Sequence, residues 1–260
     1  MKRQLANELE AEGLNRAGAP GLDRGIPWPA RHWLLVVNLA TGTFVFGTLL
    51  APLLMHLGLN APARLVYTFY SFFCHQLPER SYFLFGPDGV NTYSRAQVIA
   101  WGANPAYLRG FVGNAQVGFK VGIAERDIVI YVTLFLAGLG YALLRRRVRG
   151  LSGRVFLLLI LPMALDGGSH VVSEITRLGF RETNAWLATL TGHLFSQTFY
   201  AGTTLGSFNW LMRTLTGALF AGACVWFAYP YLERSFADAA TQAQARSPKR
   251  MPGAPPGIPA

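Results

Sequence analysis

Residues 34–57 read LLVVNLATGTFVFGTLLAPLLMHL, and the run holds no ionisable side chain before His56. Coiled as a helix that rises about 1.5 Å per residue, it is longer than the ~30 Å hydrocarbon core of a bilayer is thick. It is therefore predicted to cross a membrane. Residues 127–145 repeat the pattern as DIVIYVTLFLAGLGYALLR and are stopped by Arg145, Arg146, Arg147 and Arg149. Two weaker runs bring the predicted spans to four. Residues 155–172 turn polar at Asp166 and span only if the helix continues through Gly167 and Gly168; residues 208–230 carry Arg213 near their start and end at Pro230. A composition of 52% hydrophobic and 14% charged residues agrees with lipid surroundings. The predicted fold class is an all-α integral membrane protein of about four transmembrane helices, with additional interfacial or re-entrant helices in its outer loops.

Lysine and arginine mark cytoplasmic flanks. Lys2, Arg3, Arg16, Arg24 and Arg31 precede the first span, Arg145 to Arg154 join the second to the third, and Arg234, Arg246, Lys249 and Arg250 follow the fourth. The distribution predicts a multi-pass protein of the cell (plasma) membrane with both termini cytoplasmic. It also accounts for the net charge of +10 as topology signals and contacts with anionic lipid. No nucleic-acid motif occurs, so the expected partners are the lipid bilayer and other membrane subunits, not nucleic acid. Residues 1–32 hold no apolar stretch of the signal-peptide kind and are expected to be a cytosolic tail. Residues 33–233 form the helical membrane domain, and 234–260, rich in Ala, Pro, Gly and Gln, are expected to be a disordered cytosolic tail.

Readable chemistry then falls in the outer loops. In the first, ARLVYTFYSFF is an aromatic helix suited to the membrane surface, and AQVIAWGANPAYLRGFVGNAQVGF is expected to form interfacial or re-entrant helices. The stretch CHQLPERS follows the aromatic helix. Pro78 should end that helix and turn the chain, leaving Arg80 and Ser81 free to bond a neighbour. Cys74 is a lone thiol on the outer side, since the other cysteine, Cys224, lies in the inner part of the fourth span. Four of the five histidines, His56, His75, His170 and His193, also fall at or beyond the outer boundary.

The third span holds the sharpest pattern. Asp166, His170 and Glu174 are spaced i, i+4, i+8 and line one face of a continuing helix. An ionisable residue within a span normally faces the bundle interior with a partner; Arg80, Arg126 and Arg177 are the candidates for Asp166. The alternative is a helix-ending turn at DGG that leaves the carboxylate solvated. Together these residues give a candidate polar pocket of Cys74, His75, Gln76, Arg80, Ser81, Asp166 and His170. Its metal-ligating donors would be Cys74, His75, Asp166, His170 and His193, and a divalent metal ion is the cofactor they would take, although no pair has the tight repeated spacing of a strong zinc motif. Separately, NAWLATLTGHLF (184–195) and NWLMRTLTGALF (209–220) repeat Asn, Thr-Leu-Thr-Gly and Leu-Phe at equal offsets. Small residues and hydroxyls at that spacing suit close helix packing in lipid.

CHQLPERSYFLFG, ERDIVIY, LPMALDGGSH, FRETNAWLATLTG and FAYPYLE together resemble an uncharacterised membrane-protein family, domain of unknown function 2085, over roughly Tyr67 to Glu233. The resemblance implies a small bundle of about four spans and names no reaction. It also implies a cysteine just before the Arg-Asp that opens the second span. Ala124 stands there, so a two-cysteine metal or redox site would lack its second thiol. The family's Asp-Gly-x-x-Gln is here DGGSH, with His170 in place of the amide. Three readings remain open: an outward-facing polar pocket for a metal ion or small polar ligand, an accessory or structural subunit of a larger membrane complex, and a zinc-dependent membrane hydrolase. The last rests on Ser71-x-x-x-His75 with Asp166, loosely similar to the ceramidase and progestin-receptor-like superfamily, whose extra spans and paired histidines this chain lacks.

Overall fold

The computed structural model describes residues 28–246 apart from 88, 146 and 148; the expectations for 1–27 and 247–260 lie outside the described residues. Residues Leu34–Pro230 form one compact unit that holds the bundle, its loops and the candidate site. The elements run α1 (Trp28–Arg31), α2 (Trp33–Gly47), α3 (Leu50–His56), α4 (Asn60–Tyr70), β1 (Phe83–Gly86), β2 (Gly89–Asn91), α5 (Arg95–Ala100), β3 (Gly113–Asn114) and β4 (Gly118–Lys120). They continue with α6 (Glu125–Leu144), α7 (Gly153–Thr176), α8 (Phe180–Thr183), α9 (Ala185–Leu190), α10 (Gln197–Tyr200) and α11 (Phe208–Arg246). Four stretches are long and apolar enough to cross a membrane: Trp33–His56, Glu125–Leu144, Gly153–Thr176 and Phe208–Ala239. The chain is an all-α membrane protein. In the middle two spans only 11% of the apolar window is buried inside the protein, so much of their apolar surface is left for lipid.

The first span is broken, and its break is filled by the loop. Between α2 and α3 the carbonyls of Phe44 and Thr48 accept hydrogen bonds from the Tyr70 hydroxyl (2.7 Å) and the Gly122 amide (3.1 Å). Backbone left unpaired in hydrocarbon is costly, so irregular backbone survives at such depth only where protein groups pair with it. Gly47 is required for the approach, because a Cβ there would lie 2.4 Å from Tyr70 Oη.

Proline does not end the last helix. Pro230 lies inside α11, which continues to Arg246 and so occupies 234–246, where a disordered tail was expected. Proline has no amide to donate to the carbonyl four residues earlier; that carbonyl, Trp226 O, accepts instead from Leu151 N at 3.2 Å. Helix α7 likewise runs unbroken through Pro162, Gly167 and Gly168, which excludes the helix-ending turn at Asp166.

The first loop folds differently from the expectation. Its aromatic helix forms as α4, burying Tyr67 and Tyr70 and exposing Leu65 and Phe69. Of the stretch expected to be interfacial or re-entrant helix, only α5 is α-helical, opened by a capping box between Ser94 and Gln97. The remainder contributes to an antiparallel sheet of order β2-β1-β4-β3. The reason is turn chemistry: Asn114 Oδ1 accepts from the amides of Gln116 and Val117, and Gly118 follows at φ 83°, where a Cβ would meet Leu84 O at 2.4 Å. Phe83, Tyr93, Val98, Leu108 and Val117 form a core under this sheet, and β1 and β4 pack on α3.

Candidate functional site

Three consecutive charged residues, Glu125, Arg126 and Asp127, open α6. Successive helical side chains point about 100° apart, so each reaches a different neighbour. Glu125 Oε2 accepts from Arg213 Nη1 of α11 at 3.4 Å, with both side chains almost fully buried. Arg126 Nη2 donates to Asp166 Oδ2 of α7 at 2.5 Å. Asp127 takes up the Cys74 thiol.

Asp166 is shared. Its second oxygen, Oδ1, accepts from Arg181 Nη2 at 2.5 Å, and the same Nη2 lies 3.1 Å from His170 Nε2. A guanidinium can only donate, so Nε2 is the acceptor and His170 is the neutral tautomer protonated at Nδ1. Arg181 is itself fixed through its backbone. Its amide donates to Ser173 Oγ (3.1 Å), and its carbonyl accepts from Asn184 Nδ2 (3.0 Å) and Asn209 Nδ2 (2.5 Å). These are the asparagines that open the two copies of the repeat, both fully buried. The repeat thus places two amide donors on one carbonyl. Burial pushes Arg181 below the ordinary arginine value, opposed by the Asp166 carboxylate.

The depth of this layer follows from α6. From Arg126 to Leu144 the helix rises about 27 Å, close to the ~30 Å hydrocarbon thickness. The Asp166 layer therefore sits at the loop-side edge of the apolar region, and residues 167–176 of α7 rise above it.

The hinge at 74–81 closes the other side. Gln76 adopts a left-handed backbone (φ 53°), and its Nε2 donates to Tyr67 O and Gly122 O, both at 2.8 Å. Ser81 Oγ donates to Leu77 O at 2.8 Å. Cys74 Sγ accepts from the amides of Gln76 (3.4 Å) and Ala124 (3.3 Å); burial and then the Asp127 charge push its pKa up to about 11. It is a thiol at neutral pH and a poor nucleophile. Lys120 Nζ, fully buried, donates to Gln76 O (2.9 Å) and Arg109 O (2.7 Å), and desolvation lowers its pKa to about 7. Arg80 Nη2 reaches Glu174 Oε1 at 3.3 Å near the surface.

Between hinge and layer lies a cavity of about 520 Å³ lined by Cys74, His75, Gln76, Arg80, Arg126, Asp127, His170, Glu174 and Arg213, among others. Of the sequence candidates, Cys74, His75, Gln76, Arg80 and His170 line it. Asp166 does not line it, and is joined to it only through Arg126. Ser81 is buried on its own turn, and His193 is elsewhere, beside Tyr200 in the loop between α9 and α10. Among the described residues no three His, Cys, Asp or Glu side chains are placed to hold a metal ion. Asp166 is occupied by two guanidiniums, and His170 Nε2 by one of them. The converging ligands that zinc-dependent hydrolysis needs are not gathered here. Of the arginines expected to neutralise Asp166, Arg126 does so; Arg80 turns to Glu174, and Arg177 caps α7 in a left-handed conformation. Arg181, Arg213, Glu125 and Asp127 were not singled out as site residues. The run of three charges at the mouth of a span was the signal for two of them.

Residues 115–201 match the profile of a family described as Predicted membrane protein (DUF2085). The DUF2085 match takes in α6, α7, Asp166, His170 and Arg181; the Cys-His-Gln-x-Pro-x-Arg-Ser element at 74–81 precedes it. No curated protein and no solved structure matches the chain.

Proposed function

We propose that this multi-pass protein of the cell membrane, with both termini cytoplasmic, uses its loop-side pocket to bind a small polar ligand that carries an anionic group. The observation that carries the reading is the state of the arginines. Arg80, Arg126 and Arg213 line the cavity, and buried guanidinium nitrogens of each (Arg80 Nε, Arg126 Nε, Arg213 Nη2) have no partner among the described residues. Guanidinium groups recognise carboxylates and phosphates through paired donors. Asp127 and Glu174, which also line the cavity, would accept from a ligand's own donors, which favours a zwitterion over a simple anion. His75, exposed at the rim, is placed to touch the ligand as it enters.

The test is thermal unfolding of the full chain in mild detergent against a panel of inorganic phosphate, a dicarboxylate and zwitterionic amino acids. A ligand should raise Tm in wild type, and Arg80→Gln should weaken its binding about tenfold, the loss expected when one charge-assisted bond of ~1.5 kcal/mol is removed. If no probe shifts wild type, the reading fails. Elemental analysis of the same preparation addresses the metal alternative, whose bound ion would be lost in His75→Ala.

Accessory-subunit behaviour is favoured by a separate observation. Phe72, Ile175, Leu178, Leu190 and Leu194 are each more than 70% exposed at the loop end. Co-purification from native membranes at stoichiometric yield would support that role.

A further inference from the structure

A second cavity, of about 630 Å³, opens on the neighbouring face of α7 and is lined by Pro162, Leu165, Ser169, Trp186, Phe208 and Met212, with Asp166 and Arg181 at its polar end. At 100° per residue, 162, 165, 166 and 169 share one face of α7, while 167, 170, 171 and 174 turn to the first pocket. Asp166 stands at the boundary. Pro162 and Leu165 lie below the Asp166 layer, at hydrocarbon depth, where lipid is the solvent and an apolar groove at the side of a bundle meets acyl chains. The other end is charged. Arg181 shares Asp166 with Arg126 and also feels the Glu182 carboxylate, which bonds Ser173 beside it. Arg181 stacks over the Phe208 ring at 5.4 Å, and its buried Nε has no partner among the described residues.

We propose that this groove is a binding site for an anionic phospholipid, one acyl chain lying along Leu165, Trp186, Phe208 and Met212 and the phosphate meeting Arg181. The site does not depend on a ligand in the polar pocket. Chain length and charge are recognised by different ends of the groove, so neither a neutral phospholipid nor a soluble phosphate ester satisfies both.

The full chain reconstituted in phosphatidylcholine bilayers, with a small fraction of phosphatidylglycerol carrying a photoreactive acyl chain, provides the test. Label should map to peptides containing Leu165, Trp186 and Phe208. Unlabelled phosphatidylglycerol should compete about fivefold better than extra phosphatidylcholine, the factor set by one basic residue near a membrane surface, and glycerol phosphate should not compete. Equal competition by phosphatidylcholine would reduce the groove to ordinary boundary lipid, and competition by glycerol phosphate would make it a soluble-anion site; either overturns the proposal. Leu165→Trp, at a side chain 64% exposed, should fill the groove and abolish labelling there. Leu157→Trp, on a different face of α7 and 62% exposed, should not. Should Leu165→Trp fold poorly, the wild-type competition still decides.

Discussion

The hinge at 74–81 and the arginine layer around Asp166 line the same cavity with similar kinds of residue, yet they use their polar atoms in opposite ways. In the hinge, Gln76, Ser81 and Cys74 bond the backbone of the loop, and Lys120 bonds the hinge in return. In the layer, charge answers charge, and guanidinium nitrogens are left over. A hinge built this way holds shape, whereas a layer built this way has donors to offer. A conspicuous motif can thus be the scaffold, and the recognising groups can lie in less conspicuous sequence across from it.

The largest effect should come from breaking the layer. Asp166→Asn leaves Arg126 and Arg181 buried without their counter-charge and should cost about 3–5 kcal/mol in equilibrium unfolding in mild detergent. Adding Arg126→Gln should return part of that loss, because one uncompensated charge is then gone. A loss confined to about 0.5 kcal/mol would mean the layer is solvated and the contrast with the hinge is empty.

In the hinge, Gln76→Ala strands the Gly122 carbonyl, while Tyr67 O keeps the Ser71 amide at 2.9 Å, and should cost about 1–3 kcal/mol by the same measurement. Gln76→Gly loses the same bonds but relieves the left-handed backbone, so it should be about 1 kcal/mol more stable than the alanine variant. Neither should alter ligand affinity beyond the loss of fold.

Lys120 gives the hinge a pH signature. Its pKa is lowered from the ordinary 10.5 to about 7, so between those values the unfolded chain holds a proton that the folded chain has released. Stability should therefore rise with pH above 7, by up to about 1.4 kcal/mol per pH unit, and flatten as pH nears the unfolded value. Below 7 the full cost of the buried charge applies. Lys120→Met should remove the slope; a slope that persists would assign it to another group.

The smallest expected effect is the sharpest on role. His75→Ala removes an exposed side chain and should change stability by less than about 0.5 kcal/mol, while weakening any ligand of the polar pocket. A large loss of stability would make His75 part of the scaffold.

Legibility in the sequence followed the range of the interactions. Lipid requires long uncharged runs, so 34–57 and 127–145 were plain, and helix geometry alone put Asp166, His170 and Glu174 on one face. Arg181 was not readable, because it reaches Asp166 through a turn that uses left-handed backbone at Arg177, Gly179 and Asn184. The interior position of Pro230 depends on an amide at Leu151, far away in sequence. The sheet was missed because its strands are only two to four residues long, too short for alternation to register, and its register is carried by Asn and Gly turns.

The break in the first span also bears on how the chain is made. Its two freed carbonyls are paired by Tyr70 and Gly122, residues that follow the span in the chain. A nascent chain that ends before residue 60 has neither partner, and because Pro52 has no amide to give Thr48 O, that carbonyl stays unpaired in lipid until the loop arrives. The break is then built in by Pro52 and becomes satisfied late, when the folded loop docks. Solid-state NMR of a 28–59 fragment in bilayers, compared with the full chain, would show the Thr48 carbonyl shift moved away from its hydrogen-bonded position in the fragment alone.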